Sequence, residues 1–146
     1  MRTIGLAAIC SASLAFAAVG CGGSEKNSPT KQEFVSQANS ICQKAGHKLE
    51  AAGQSFFTGG GAQKTEGDFV NQKVAPIFQH DLLDPIEALG APKGDEDKVS
   101  AILDAGHQAI VKLKAHPLLI KAPPGSAKDP FRDLGRLATA YGLRCA

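Results

Sequence analysis

The chain has 146 residues, of which 43% are hydrophobic, so it can bury the core of one ordinary domain and is too apolar for intrinsic disorder. Its formal net charge is +2, and removing an N-terminal segment that contains Arg2 would lower it by one, to +1. A body so close to neutrality has no electrostatic basis for binding nucleic acid, and we expect no nucleic-acid partner. After residue 23, no charge-poor stretch is long enough to span a bilayer.

Residues 1–20 have the layout of a secretory signal peptide. A short basic start precedes an apolar run that ends in small residues directly before Cys21. This ending, Ala18-Val19-Gly20-Cys21, resembles the lipobox of bacterial lipoproteins, although that family most often has leucine where Ala18 stands. The resemblance implies that the Cys21 thiol receives diacylglycerol and that Cys21 becomes the first mature residue. A plain secretory signal cut nearby is the alternative.

The same resemblance predicts where the protein lies in the cell. Two acyl chains anchor a protein stably, so we expect an exported protein attached to the cell membrane by its lipid, with its domain on the extracytoplasmic side. Residues 21–29 are polar and contain glycine and serine, which is typical of a flexible tether. The folded domain is predicted to occupy residues 30–146.

The cysteines divide into separate roles once the signal peptide is recognised. Cys10 is removed with the signal and Cys21 is acylated, which leaves Cys42 and Cys145. An exported pair in one small domain usually forms a disulfide, and this one would close a loop of about a hundred residues, contributing about 4 to 5 kcal/mol. A zinc site would need further ligands, and a redox pair normally lies close in sequence. We therefore predict a structural disulfide, with no metal and no cofactor.

Helical periodicity appears in four segments of the mature chain. Thr30 and Glu33 form a capping-box pattern that opens a helix over about 30–53. A second apolar series runs over 68–89 but contains Pro76 and Pro85, which predicts a kink or restart where Asp84 offers cap chemistry.

The second half of the chain predicts two more helices. One covers about 95–115, with acidic residues at its start. A stiff proline-rich loop follows at 117–130, with Leu118, Leu119 and Ile120 expected on the core. The last helix begins at 129–131 and ends at Gly142-Leu143 in a predicted Schellman motif. Because no segment alternates with period two, we predict an all-α, four-helix bundle-like domain.

Several patterns could carry chemistry, and each also has a structural interpretation. Residues 59–65 resemble a phosphate loop but lack the glycine before the lysine, which favours a flexible connector. Asp95-Glu96-Asp97 lacks the spacing of a calcium loop, so we interpret it as a solvated helix start. Acid–histidine neighbours could form an ion pair or an acid–base couple, and they are His80 with Asp81 and Asp84, and Asp104 with His107.

The last helix and the aromatic residues complete the candidates. Asp129 with Arg132, and Asp133 with Arg136, are spaced for local ion pairs rather than for an anion-binding row. The aromatic side chains are expected to fill the core, although a mixture of bulky and small side chains could also leave a lipid-sized cavity. We assign no catalytic residue and no metal ligand.

Four short patterns together resemble uncharacterised small lipoproteins of high-GC Gram-positive bacteria. They are Ala38–Cys42, Ala91–Glu96, Asp129–Phe131 and Tyr141–Cys145. The resemblance implies an anchored helical domain with a cysteine at each end of the pattern, and it supplies no activity. The leading hypothesis is a non-enzymatic envelope module that binds a partner protein or a small apolar ligand. An envelope enzyme with a His/Asp pair and a purely structural or stress-related protein are the alternatives.

Overall fold

The computed structural model describes residues 28–58 and 65–145. The predicted signal peptide, Cys21, most of the tether and the glycine turn at 59–61 lie outside these residues. Within the described ranges the chain is helical and contains no strand, which confirms the predicted all-α class.

Helix α1 spans Lys31–Thr58 and begins with the predicted capping box. The Glu33 N–H donates to the Thr30 hydroxyl at 3.3 Å, and the Thr30 N–H donates to the Glu33 carboxylate at 2.8 Å. The helix continues past the predicted end at residue 53. Its inward face carries residues at spacings of three and four that are all buried, namely Phe34, Ala38, Cys42 and Ala45.

Helix α2 runs over 66–88 and changes its hydrogen-bond register along the way. Thr65 caps its start in a second capping box with Asp68. Its α-helical ends, Glu66–Phe69 and Asp84–Ala88, enclose two π-helical stretches, Val70–Val74 and Ile77–Leu83.

The π-helical geometry reaches the residue before each proline. The Ala75 N–H bonds to the carbonyl of Val70, five residues back, and the Asp84 N–H bonds in the same way to Gln79. A proline ring crowds the carbonyl four residues earlier, and a wider turn gives that carbonyl more room. The helix therefore passes both Pro76 and Pro85, and α-helical geometry resumes at the predicted restart. The predicted side-chain cap at Asp84 is wrong, because its carboxylate binds Gln79 and His80.

Helix α3 spans Glu96–Ala115, and α4 spans Arg132–Tyr141. The predicted Schellman motif is confirmed: the Leu143 N–H donates to the Ala138 carbonyl at 2.9 Å, and Gly142 has a φ of 104°. A short 3₁₀ helix, Pro117–Lys121, follows α3. The expectation for Leu118 is wrong, since it is 69% exposed, whereas Leu119 and Ile120 pack against the core.

The helices enclose a hydrophobic core, and a disulfide joins α1 to the C-terminal tail. The predicted disulfide between Cys42 and Cys145 is present, with Cα atoms 4.8 Å apart and 103 positions between them in sequence. The largest buried cluster draws side chains from all four helices, including Phe34, Leu82, Ile102, Leu134 and Tyr141. The domain is thus the helical bundle with one disulfide that the sequence predicts.

The closest approach of α2 and α3 depends on Gly106. A Cβ atom at this position would lie 2.6 Å from Cδ2 of Leu83, which is itself fully buried and cannot move aside into solvent. Overpacking of this kind costs about 1 to 3 kcal/mol, which offsets or outweighs the gain of about 1 kcal/mol that alanine brings to a helix.

We predict that Gly106→Ala lowers the free energy of unfolding by up to about 2 kcal/mol in denaturant titrations. The matched control is Gly135→Ala in α4, where no atom lies within 4 Å of the added Cβ. That variant should gain up to about 1 kcal/mol from helix propensity. Equal effects of the two substitutions would contradict the close packing of α2 on α3.

Candidate functional site

The C-terminal tail crosses α1 and is fixed there by two bonds. Cys42 is buried, whereas Cys145 is exposed, so the disulfide reaches from the core to the surface. One residue earlier, the backbone N–H of Arg144 donates to the Asn39 side-chain oxygen at 2.7 Å. Further along the same helix pair, Phe34 packs edge-to-face on Tyr141 with ring centroids 5.9 Å apart. These contacts hold the end of α4 against the first half of α1.

Two depressions adjoin this tail, and their linings differ. The larger, about 760 Å³, is an open cleft with mainly polar side chains, among them Gln43, His47, Glu50 and Arg144. The other is a groove of about 660 Å³ with a mainly apolar lining. Sites for small molecules are mostly apolar with a few placed polar groups and have volumes of about 300–1,000 Å³. The groove is therefore the candidate site.

The groove lies between the second half of α1 and helix α4, with α2 contributing part of its lining. Its apolar contributors are Ala45 and Leu49 of α1, Phe78 and Leu82 of α2, and Phe131, Leu134 and Ala138 beside or within α4. Phe78 and Phe131 are stacked, with ring centroids 4.5 Å apart and planes at 17°. Pro124 and Gly125 of the loop before α4 also line it. From the sequence, a lipid-sized cavity was the alternative to a filled core. The structure has a space of comparable size there, but it is an open groove and not an enclosed cavity.

At one position on each of the two helices, no side chain projects into the groove. Gly46 of α1 and Gly135 of α4 both line it, and a Cβ added to either would meet nothing within 4 Å. A glycine inside a helix costs about 1 kcal/mol relative to alanine. This groove lining was not predicted from the sequence. Two glycines within otherwise regular helices were the signal that could have indicated it.

Among the described residues, the charged side chains that line the groove are two arginines and one carboxylate. Asp129 is committed to the loop, because its two oxygens accept the N–H groups of Gly125 at 2.7 Å and Phe131 at 2.8 Å. Arg132 and Arg136 each place Nε 3.9 Å from the Asp133 carboxylate, with side chains 49% and 66% exposed. Exposed ion pairs of this length contribute little, so both guanidinium groups remain able to bind other anions.

The predicted ion pairs of α4 are therefore confirmed only in part. Asp133 does pair with Arg136, as the spacing predicts. The expected pairing of Asp129 with Arg132 is wrong, because backbone amides are the partners of that carboxylate. A carboxylate just before a helix can satisfy the unpaired N–H groups there, which competes with a side-chain partner one turn later.

The acid–histidine patterns form a separate surface cluster away from the groove lining. His80 Nδ1 lies 2.9 Å from the Asp84 carboxylate, which also accepts a hydrogen bond from Gln79. These two bonds hold the pKa of Asp84 below its usual value, with His80 as the larger cause. Asp81 pairs instead with Lys48 of α1 at 2.6 Å. The side chains of His80 and Asp84 are 71% and 45% exposed, so the pair lies at the surface and not in a cleft.

The remaining candidate patterns have structural partners. His107 lies 3.4 Å from the Gln79 amide, and within the described residues no hydrogen bond joins it to Asp104. In the acidic segment 95–97, the Glu96 carboxylate accepts a hydrogen bond from the Gly94 N–H at 2.8 Å. Thr65, at the end of the phosphate-loop-like segment, is the capping residue of α2. Among residues 28–58 and 65–145, no group of three His, Cys, Asp or Glu side chains could hold a metal ion.

Asp95 joins the start of α3 to the end of α4. Its carboxylate accepts hydrogen bonds from Lys98 at 2.5 Å and from the Tyr141 hydroxyl at 3.0 Å. The Lys98 bond is the main reason why the pKa of Asp95 lies below its usual value. Burial, and then the bond to Asp95, raises the pKa of Tyr141 to about 12. Lys31 lies over the same ring, 4.5 Å from its centroid.

We predict that Tyr141 ionises near pH 12 in the folded protein and near 10 in denaturant. The folded state holds this proton more tightly, so the resulting stability is complete below pH 10 and is lost as the pH rises toward 12. Since the chain has one tyrosine and no tryptophan, phenolate absorbance reports this group alone.

The substitution Asp95→Asn removes the nearby negative charge and should lower the pKa of Tyr141, but burial should keep it above 10. The matched control is Asp84→Asn, which removes a carboxylate that has no contact with Tyr141. An unchanged titration midpoint in Asp95→Asn would refute the role of the hydrogen bond.

Comparison of the chain with protein families, with curated proteins and with solved structures found no match. Within the described part of the chain, no helix has both the length and the apolar character needed to cross a membrane. The function must therefore be argued from the chain's own residues.

Proposed function

We propose that this protein is a non-enzymatic lipoprotein of the bacterial cell envelope whose helical domain binds a small apolar ligand in the groove between α1 and α4. The main observation behind this proposal is the groove. It combines an apolar lining, a volume suited to one small molecule and two arginines in its lining. Large apolar depressions on a small domain usually mark binding surfaces.

The distribution of the cysteines supports the proposed anchor. Cys42 and Cys145 are joined to each other, so Cys21 is left as the single cysteine between the predicted signal peptide and the domain. A lone thiol in an exported protein is a liability unless it is modified, and the lipobox resemblance supplies that modification. A disulfide also suits the oxidising side of a membrane.

The structure offers less support for the other two hypotheses. His80 and Asp84 are in contact, but their exposed position gives no enclosed volume in which an acid–base pair could act on a bound substrate. A purely structural role leaves the apolar groove and the two exposed arginines in its lining without a use. A ligand-binding role accounts for both.

We predict that protein extracted from membranes of an expressing bacterium begins at Cys21, carries a diacylglyceryl group and lacks the two hydrogens of the Cys42–Cys145 pair. Intact-mass spectrometry measures all three features together. Cys21→Ser should abolish the lipid and leave the disulfide unchanged. A wild-type chain cut elsewhere and free of lipid would refute the anchor.

The groove can be tested in the same lipidated protein after transfer to lipid nanodiscs. A long-chain alcohol bearing a photoreactive diazirine should label groove residues, and peptide mass spectrometry should locate the adducts near Leu49, Phe78 and Leu134. Gly135→Leu fills the groove and should reduce this labelling by at least about tenfold, which corresponds to about 1.4 kcal/mol. Ala51→Leu adds similar bulk to an exposed position of α1 outside the groove and should have no effect. Equal labelling of the wild-type protein and the Gly135→Leu variant would refute the proposed site.

A further inference from the structure

The charges around the groove discriminate between classes of apolar ligand. Of the described side chains that line it, Arg132 and Arg136 are positive, whereas Asp129 is negative and accepts two backbone N–H groups. Asp133 lies beside the arginines but does not line the groove. An anionic head could accept guanidinium donors that the 3.9 Å contacts with Asp133 leave free, whereas a cationic head would meet two positive groups in the lining.

The arginines also have the chemistry that a carboxylate needs. A guanidinium presents its donors in a planar fork that matches a carboxylate, and such charge-assisted bonds are about twice as strong as neutral ones. The two residues are four apart on α4, so their side chains leave the same face of the helix. Their contacts with Asp133 are long, at 3.9 Å, and leave donors free.

The apolar lining begins next to these charges. Leu134 and Phe131 neighbour the arginines in sequence, and the lining continues across Phe78 and Leu82 to Leu49 of α1. A ligand held by its head at the arginines would therefore lay an apolar tail over the stacked aromatic pair. The Asp129 carboxylate in the same lining disfavours a doubly charged phosphate head.

We propose that the groove binds a free fatty acid, with its carboxylate at Arg132 and Arg136 and its acyl chain along the apolar lining. This inference rests on the proposed function, because it names the ligand class for the same groove. The inference adds that the ligand has one negative charge and that this charge lies at the arginine end of the groove.

The test compares three diazirine-bearing probes of equal chain length, an acid, an alcohol and an amine, at equal mole fractions in nanodiscs that hold the full lipidated protein. The acid should label the groove about tenfold more than the alcohol, and the amine least. The double variant Arg132→Gln, Arg136→Gln should reduce acid labelling to the level of the alcohol. Arg132→Lys, Arg136→Lys keeps the charge without the fork and should give an intermediate value.

The matched control is Lys112→Gln, Lys114→Gln, which removes two exposed charges of α3 outside the groove lining and should preserve the preference for the acid. Circular dichroism confirms that each variant keeps its helices. Equal labelling by the three probes, or an acid preference that survives loss of both arginines, would overturn the fatty-acid inference and leave the proposed function intact. Absence of groove labelling by every probe would overturn both.

Discussion

The Cys42–Cys145 bond is the constraint on which the arrangement of this domain depends. It joins the end of the chain to the middle of α1, across 103 positions in sequence. Loss of such a bond costs about 2 to 5 kcal/mol, a large share of the 5 to 15 kcal/mol that stabilises an ordinary domain. Because α4 ends four residues before Cys145, the bond also restrains α4 relative to α1. The two walls of the groove are thereby held at a set distance.

The groove follows from a contrast between the two ends of the α1–α4 pair. At one end, Phe34 of α1 packs edge-to-face on Tyr141 of α4. Toward the other end, Gly46 and Gly135 line the groove, and each costs its helix about 1 kcal/mol relative to alanine. The Phe34–Tyr141 contact and the disulfide, which itself lines the groove, connect the two helices despite this loss. A domain can keep a locally unfavourable feature where its remaining contacts determine the fold.

Most of the side chains that were candidates for catalysis or metal binding form hydrogen bonds within the domain. Asp84 binds His80 and Gln79, and Asp95 binds Lys98 and Tyr141. These bonds satisfy side chains on one helix or connect neighbouring helices, and they lower the pKa of both carboxyl groups. The guanidinium groups of α4 differ, since their contacts with a carboxylate are long and exposed. Because of that difference, we propose ligand recognition at α4 and not at the histidines.

Local patterns in the sequence determined the four helices, the capping box at Thr30, the Schellman motif at Gly142 and, through the cysteine count, the disulfide. The helices and their caps depend on residues a few positions apart, and the disulfide was predicted from export to an oxidising compartment. None of these predictions needed tertiary information. Only the tertiary structure decided how α2 widens to pass its prolines, why Leu118 stays exposed and which amides engage Asp129. It also decided that residues of α1, α2 and α4 line one groove. Such features depend on which distant segments meet, and periodicity within one helix carries no information about its neighbours.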